Sequence, residues 1–453
     1  MKIKKIIFFS VLFSTIITKI YCQQISLDTS FGPNHNGTVI TPPANFGGTT
    51  FADATSVGLQ STGKIVASGI IDTNNLAVVA RYTKNGLLDT TFGTGGTTQL
   101  SSAPTEITSL AVQTDDKVVV GYGGFVLGVE QFVVARLLAN GTLDSSFGSG
   151  GFSSLIIGTV SFITSVKIQS DGKIVAGGRA TTGGSARFAL ARFNTDGTVD
   201  TSFGSPNGFV TFQFPGATSS QINSIAIQSD GKIVAAGRAT IGGVIQFAIA
   251  RFNTDGSLDT SFGTGGAVTI PISPTFSEIF SVVIQPDNKI VVGGTANIGG
   301  TDTFAFARLL TNGSLDNSFG TGGIVTLPLS SFGTGTTSAD LESIALQSNG
   351  KIIAGGSADP GGVLTFTLAR LNSNGSLDSS FGINGIINVL PLTLFGPDPL
   401  DAGINSILLQ PDGKIVAGGF FDSTTLTYLA LARFGPSGCV NSIAQAISEK
   451  YGV

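Results

Sequence analysis

Short runs of alternating apolar and polar residues recur along the chain, and residues 224–263 show the pattern most clearly. The β-favouring runs of this unit are residues 224–228, 233–237, 247–252 and 267–270. Asp230-Gly231 separates the first two runs and predicts a tight hairpin, because glycine adopts positive φ angles at little cost. No long helical period interrupts the unit. The pattern therefore predicts four short antiparallel strands.

The same unit occurs seven times, and each copy carries an Ala-Arg pair and an Asp that follows Leu or Val. Successive Arg residues are 55 to 63 positions apart. The Arg residues are Arg81, Arg136, Arg192, Arg251, Arg308, Arg370 and Arg433. The Asp residues are Asp28, Asp89, Asp144, Asp200, Asp259, Asp316 and Asp378. One Arg and one Asp in every copy predict a repeated structural salt bridge, because a site used once does not need seven sets of its residues.

Seven four-stranded units predict an all-β fold, a seven-bladed β-propeller of antiparallel blades over residues 23–440. The first unit begins part-way through the pattern, so the N-terminal strand is expected to complete the last blade and close the ring. Closure would remove two exposed sheet edges, which otherwise favour aggregation. An open solenoid of β units is the main alternative, and it would need capping units at its ends.

The run SIAIQSDGKIVAAG, followed by FAIARFNTDGSLDTSFG, resembles the delta-60 repeat, a bacterial β-propeller family of unknown biochemical function. It is also similar to a longer form of the NHL propeller repeat. The resemblance covers about residues 25–438, with all copies in phase. It implies NHL-like blades in a secreted or surface protein, and it supplies no catalytic motif.

The N-terminus has the features of a secretory signal over residues 1–22: three early Lys residues, then an apolar run that is short for a bilayer span. A lipid anchor on Cys22 is the alternative to cleavage. We therefore expect a secreted, periplasmic or cell-surface protein that does not span a membrane. Cleavage would leave Cys439 without a disulfide partner. Residues 441–453 are a short tail with a helical pattern, expected to dock on the propeller.

Charge and motif content narrow the candidate chemistry. A net charge of −4 argues against non-specific electrostatic binding of nucleic acid. The sequence has no Cys/His metal cluster, phosphate-binding glycine motif or serine-nucleophile elbow. We therefore expect no cofactor, with calcium as a weaker alternative, because the turn 253–259 has oxygen side chains at alternating positions around a glycine. The calcium candidates are Asn194, Asp196, Asp200, Asn253, Asp255 and Asp259, although a simple Asx turn explains the same pattern.

The connections between units differ most in length at three positions. The intervals between the Phe-Gly pair and the Ser that opens the next strand are 25, 17, 18, 21, 19, 24 and 25 residues. The three longest are neighbours in a closed ring and would build one raised wall. Four of the seven residues that lie three positions before this Ser are acidic. We expect a partly acidic binding rim at the mouth of the channel, just before the innermost strands, formed by Asp53, Glu106, Gln221, Glu278 and Asp340.

These patterns favour an exported, non-enzymatic scaffold, expected to be monomeric, that binds a protein or a glycan through its variable loops. The alternative is a carbohydrate-active hydrolase or lyase in which rim carboxylates act as acid and base. A purely structural envelope protein is a third possibility. No catalytic residue is assigned from the sequence.

Overall fold

The structure is a computed structural model that describes residues 25–71, 76–100, 104–126, 128–389 and 399–436. The predicted signal peptide, Cys22, Cys439 and the C-terminal tail lie outside these residues. The chain forms seven antiparallel sheets arranged as blades around a central channel. Short helical segments occur at Pro43–Phe46, Gly204–Gly208 and Leu329–Ser331.

Blades 1 to 7 are numbered in chain order of their innermost strands. The innermost strands are β3 (Ala52–Leu59), β7 (Pro104–Val112), β11 (Ser161–Ile168), β15 (Ala217–Ile227), β19 (Ser277–Ile284), β23 (Ala339–Leu346) and β27 (Pro399–Leu409). The second strands are β4 (Ile65–Ile71), β8 (Val118–Val126), β12 (Ile174–Thr182), β16 (Ile233–Ile241), β20 (Ile290–Ile298), β24 (Ile352–Ala358) and β28 (Ile415–Ser423).

The third strands are β5 (Leu76–Tyr82), β9 (Val129–Leu137), β13 (Ser185–Phe193), β17 (Val244–Phe252), β21 (Thr301–Leu309), β25 (Thr365–Leu371) and β29 (Thr427–Pro436). The outermost strands are β6 (Thr97–Leu100), β10 (Phe152–Leu155), β14 (Phe209–Phe212), β18 (Ala267–Ile270), β22 (Ile324–Thr326), β26 (Ile386–Val389) and, in blade 7, β2 (Thr38–Thr41). A further strand, β1 (Ile25–Leu27), also pairs with β29.

The ring is closed. Each innermost strand contacts the innermost strand of the next blade, and β27 of blade 7 contacts β3 of blade 1. At this seam the backbone N–H of Val57 donates to the Ser406 hydroxyl at 3.2 Å. The N-terminal strand β2 completes blade 7 by pairing with β29, from Thr38 opposite Ala432 to Thr41 opposite Leu429. The predicted propeller and its closure by the N-terminal strand are confirmed, and the open solenoid is wrong.

Apolar side chains fill the space between blades, as the alternating pattern predicts. Between blades 4 and 5, for example, Phe247 and Ile249 pack in one buried cluster with Ile279 and Val292. The N-terminal segment joins such a cluster at the seam, where Phe31 and Val39 pack with residues of blades 1 and 7. Apolar burial, which contributes about 25 cal/mol per Å2, thus acts across every blade junction.

The two ends of the channel differ in their loops. The turn face carries the hairpins between the innermost and second strands and the turns after the third strands, such as those at 228–232 and 253–257. The loop face carries the hairpins between the second and third strands and the connections from one blade to the next. We call the end of the channel at the loop face the mouth.

The innermost strands are longer than predicted, which changes the position of the rim residues. Strand β15 begins at Ala217 and not at residue 224, so Gln221 lies within the strand and not before it. The register shifts between Ile222 and Ser224, which marks a β-bulge at Asn223. A Cβ atom at Gly237, opposite the bulge, would lie 2.1 Å from the Gln221 carbonyl oxygen, so this close approach requires glycine. Corresponding register shifts occur in all seven innermost strands.

Candidate functional site

On the turn face, each recurring Asp lies at the centre of a network that we call the clamp. In blade 4 the Arg251 Nε lies 2.8 Å from Asp259 Oδ2, and the Lys232 amine approaches the same oxygen at 3.2 Å. The guanidinium carbon of Arg251 stacks 4.6 Å from the ring centre of Phe262. A second guanidinium nitrogen donates to the Thr311 carbonyl in the next blade at 2.5 Å. The clamp therefore joins two neighbouring blades.

The clamp that closes the ring is assembled from both ends of the chain. Arg433 and Lys414 from blade 7 approach Asp28 Oδ2 at 2.9 and 3.1 Å. Arg433 also stacks on Phe31 and donates to the Lys84 carbonyl of blade 1. The other Arg–Asp pairs are Arg81–Asp89, Arg136–Asp144, Arg192–Asp200, Arg308–Asp316 and Arg370–Asp378, at 2.6 to 2.9 Å.

The clamp carboxylates are held ionised. Burial alone would raise the pKa of Asp28, but hydrogen bonds from Ser30 and Lys414 and the charge of Arg433 lower it to about 2. At Asp259 burial also raises the pKa, but hydrogen bonds from Ser261 and Lys232 and the charge of Arg251 have the larger effect. Together they hold the pKa well below its usual range. Each carboxylate is thus committed to its Arg and Lys partners.

The calcium candidates fall into two separate groups of contacts. Asp255 accepts from the backbone and hydroxyl of Ser257 in its own turn, at 2.9 and 2.6 Å, while Asn253 donates to the same hydroxyl. Asn194 and Asp196 contact Thr198 in the equivalent way. Asp200 and Asp259 are instead clamp residues. Within the described ranges, no three His, Cys, Asp or Glu side chains are grouped as metal ligands. Calcium binding stays a prediction.

At the mouth, two positions of each innermost strand define the site. The rim position lies three residues before the recurring Ser and holds Asp53, Glu106, Phe162, Gln221, Glu278, Asp340 and Gly403. The bulge position lies directly before the Ser and holds Thr55, Thr108, Thr164, Asn223, Phe280, Glu342 and Asn405. Glu106 belongs to β7, opposite Gly123; its side chain lies outside the described part of the chain.

Blades 4 and 5 bring two predicted rim residues into one polar network. Arg238 approaches Glu278 at 3.0 Å and Gln221 at 3.4 Å. Asn223 accepts from Gln221 at 2.9 Å and donates to Glu278 at 2.8 Å. Glu278 is buried, so this pairing satisfies a carboxylate that would otherwise be costly. The sequence interpretation did not include Arg238 or Asn223.

Three bulge side chains link their blade to the next. Thr164, Asn223 and Asn405 donate to the carbonyl oxygens of Ile222, Ile279 and Ala54, at 2.6, 2.7 and 3.1 Å. Each acceptor lies on the free edge of the neighbouring innermost strand, where no fifth strand can satisfy it. Asn405 also donates to both carboxylate oxygens of the rim residue Asp53, at 2.9 and 3.0 Å.

Glu342 is the acidic member of the bulge set, and the sequence interpretation missed it. Burial raises its pKa, and the charges of Asp340, Glu278 and Asp53 raise it further, to about 8. The charges of three predicted rim carboxylates therefore act on Glu342. Burial and the charge of Asp302 also raise the pKa of Asp340. Comparison of the seven bulge positions would have singled out Glu342 as the one carboxyl among Thr, Asn and Phe.

This architecture defines a β-propeller with clamps on one face and irregular polar side chains at the other. A family model described as "Domain of unknown function (DUF5122) beta-propeller" matches seven segments that cover just over half of the chain. The matched segments are residues 60–92, 113–147, 169–203, 228–262, 285–319, 347–381 and 410–440. The chain belongs to this family.

Solved structures with a similar fold are distant in sequence. Sqt1 from Chaetomium thermophilum is 13% identical, with a TM-score of 0.45 over 84% of this chain and 82% of that chain. The polysaccharide lyase Uly1 is 11% identical, with a TM-score of 0.43 over 84% and 89%. The gluconolactonase XC5397 from Xanthomonas campestris is 10% identical, with a TM-score of 0.37 over 81% and 94%. The search of curated proteins found no match. No helix within the described ranges is long and apolar enough to cross a membrane.

Proposed function

We propose that this chain is an exported, non-enzymatic delta-60 repeat propeller that binds a protein or a glycan at the mouth of its channel. The observation that carries the proposal is the coincidence of two features in one sector of the ring. The longest blade-to-blade connections occur at the junctions between blades 5, 6, 7 and 1, and the same sector holds the acidic residues of the mouth other than Glu106 of blade 2.

Two of the long connections have ordered anchors. Phe46 and Phe332, from the connections that enter blades 1 and 6, are 2% and 1% exposed. Gln99 and Asn388, from the outermost strands of the same blades, donate to their backbone carbonyls. Most of the connection that enters blade 7, residues 390–398, lies outside the described residues. Loops held in this way lose little entropy on binding, which favours recognition of a partner.

The acidic residues of this sector are not all neutralised within the protein. Asp53 is held by Asn405, but Glu342 has no hydrogen bond or ion pair in the described part of the chain. A carboxyl group that can donate or accept, beside anchored loops, suits the hydroxyl and amide groups of a glycan or a protein surface.

The experiment is a glycan array and a protein pull-down with the chain lacking residues 1–22, with and without calcium. The informative variant is Asp340→Asn with Glu342→Gln, which keeps the shape of the mouth. Lys84→Met on the turn face is the matched control. We expect a ligand that wild type and the control retain and the double variant loses at least tenfold. A ligand that all three proteins bind equally would contradict binding at the mouth.

A carbohydrate-active hydrolase or lyase is the second candidate, and Glu342 is the observation that favours it. A carboxyl group whose pKa is raised to about 8 by burial and by the charges of neighbouring carboxylates has the properties of a general acid. If this function is correct, Glu342→Gln abolishes turnover while ligand binding persists. A binding scaffold would show no turnover in either protein on the glycan that it binds.

Export and oligomeric state are separate parts of the proposal. N-terminal sequencing of the protein recovered outside the cytoplasm should give Gln23 as its first residue. A blocked, lipid-modified Cys22 would support the anchored alternative. Sedimentation analysis should give the mass of a monomer.

A further inference from the structure

Lys167 occupies a position that is small or apolar in the other six blades. It lies in β11, two residues after Ser165, and the equivalent residues are Gly58, Ala111, Ala226, Val283, Ala345 and Leu408. Ala111, Val283, Ala345 and Leu408 pack against the buried clusters between blades. A lysine at this position therefore introduces a charge where the repeat normally continues the core.

The register shows where the Lys167 side chain goes. Lys167 lies opposite Val175, and cross-strand neighbours share one face of a sheet. Val175 is buried in the core between blades 3 and 4, whereas the Lys167 side chain is solvent-exposed. Because β11 is the innermost strand, we infer that this solvent is the water of the channel, with protein around it. Desolvation by this surrounding protein lowers the pKa of Lys167.

The lysine has no counter-charge within the part of the chain that the structure describes. Seven other lysines pair with clamp carboxylates on the turn face. Lys167, by contrast, makes no hydrogen bond or ion pair with a described residue. An unpaired charge that the surrounding protein partly desolvates costs free energy. Its presence in only one of seven copies is therefore not explained by the stability of the repeat.

Arg179 places a second unpaired cation on the same face of blade 3. It lies opposite Phe162 and stacks on that ring at 4.6 Å, while its buried Nε has no hydrogen-bond partner. Arg238, the equivalent residue of blade 4, is neutralised by Glu278 of blade 5. For Arg179 of blade 3, the rim residue of the next blade is the neutral Gln221, in the place that Glu278 takes for Arg238. This face of blade 3 thus carries two cations that have no acidic partner among the described residues; Arg187, on the opposite face, also makes no ion pair with a described residue.

We propose that the channel binds an oxyanion-bearing ligand along blade 3, with Lys167 as its counter-charge and Arg179 at the entrance. An ammonium group offers three N–H donors to a carboxylate, sulfate or phosphate group, and a guanidinium offers a planar set of donors. This site lies across the channel from the acidic sector. It is independent of whether the loop face binds a macromolecule.

The test measures the reactivity of individual lysines in the full chain without residues 1–22. Each lysine is acetylated with limiting reagent between pH 6 and 10, at constant ionic strength in chloride, and quantified by mass spectrometry. Acetate, sulfate and inorganic phosphate are the probes, and they distinguish the three oxyanion classes. Without a probe we expect Lys167 to react at lower pH than the exposed Lys84. A bound oxyanion should slow Lys167 at least tenfold, because it stabilises the charged form, and should leave Lys84 unchanged.

Two variants provide a readout that does not depend on labelling. Lys167→Met restores an apolar residue as in the sister blades, and Lys84→Met is the matched control on the turn face. We expect the active probe to raise the thermal midpoint of wild type and Lys84→Met but not of Lys167→Met, with a smaller rise in Arg179→Gln. Lys167→Met is expected to fold, because it removes an unpaired charge. The proposal is overturned if no probe protects Lys167, or if Lys167→Met keeps the full shift.

Discussion

The turn face and the mouth arise from the same sevenfold repeat, but they use charge in opposite ways. On the turn face every copy has the same Arg, Asp and Lys, and these groups neutralise one another within and between blades. At the mouth and along the channel the copies diverge, and Lys167, Arg179 and Glu342 are left without an ion pair in the described part of the chain. Repetition therefore marks the residues that hold the ring together, and divergence marks the candidates for recognition.

The largest expected effect comes from breaking a clamp. Arg251→Ala removes the guanidinium that pairs with Asp259, stacks on Phe262 and reaches Thr311 in the next blade. Removing one partner of a buried ion pair typically costs about 4 kcal/mol, because the other charge stays buried. We expect the free energy of unfolding, measured in urea, to fall by about that amount.

The control for the clamp is Lys84→Ala on the same face. Lys84 is exposed and makes no ion pair with a described residue, so its loss should change the free energy of unfolding by less than about 0.5 kcal/mol. Equal effects of the two variants would mean that the clamps do not stabilise the ring.

The next effect concerns Glu342 and should depend on pH. Glu342 binds its proton more tightly in the folded chain than in the unfolded chain, because its pKa rises from 4.5 to about 8. The folded state should therefore lose stability as the pH rises from 4.5 to 8, by about 4 kcal/mol over this range. Glu342→Gln should abolish this loss and be the more stable protein at pH 9. Thermal melts of both proteins across this range provide the measurement.

A neutral side chain also fits the pattern at the bulge position. Thr164, Asn223 and Asn405 all donate to a carbonyl of the next blade, and Glu342 can do so only when protonated. Asp171→Asn, on the exposed turn face, is the control. If Glu342→Gln and wild type lose stability in parallel between pH 4.5 and 8, the carboxyl is ionised throughout and this interpretation fails.

At acidic pH the clamps should differ in the pH at which their carboxylates become protonated and stop stabilising the fold. The pKa of Asp28, in the clamp that closes the ring, is lowered to about 2, whereas that of Asp259, in the clamp of blade 4, lies further below. A carboxylate with a depressed pKa stabilises the fold above its unfolded pKa of 3.8, and this contribution is lost as the pH falls through the folded value. The closing clamp should lose about 2 kcal/mol and open first.

Hydrogen exchange between pH 4 and 2 would measure this order. After correction for intrinsic rates, the amides of β2 should lose protection before those of β18, the equivalent strand of blade 4. Asp28→Asn should remove the pH dependence at β2 and leave β18 unchanged. Simultaneous loss of protection in both strands would show that the seam is no weaker than the rest of the ring.

The repeat made the fold predictable, because seven in-phase copies predict the strands of every blade at once. Arg251 and Asp259 could be interpreted as one structural unit for the same reason. The length of the innermost strands could not be predicted in this way. Residues 217–221 form the start of β15 but are mostly polar. They therefore lack the alternation of apolar and polar residues that predicts a strand from the sequence.

Which side chains lie together at the mouth was harder to predict, because their positions depend on how the seven blades close into a ring. Asp53, Glu278 and Asp340 were identified from their shared place in the repeat. Their charges act together on Glu342 from blades 1, 5 and 6, and only closure of the ring brings blade 1 near the other two. Arg238 belongs to a second strand, and no local pattern links it to Glu278 of the following blade.

The smallest effect tests whether bulge side chains connect the blades. Thr164→Val keeps the shape of the side chain but removes the hydroxyl that donates to the Ile222 carbonyl of blade 4 at 2.6 Å. Loss of one such bond typically costs about 1 kcal/mol. Thr159→Val is the matched control, because the exposed Thr159 hydroxyl bonds only within its own blade, at 3.4 Å. Urea unfolding should show a loss for Thr164→Val and none above about 0.5 kcal/mol for the control. If both variants match wild type, channel water satisfies the free edge as well as Thr164 does, and the bulge residues are free to vary for recognition alone.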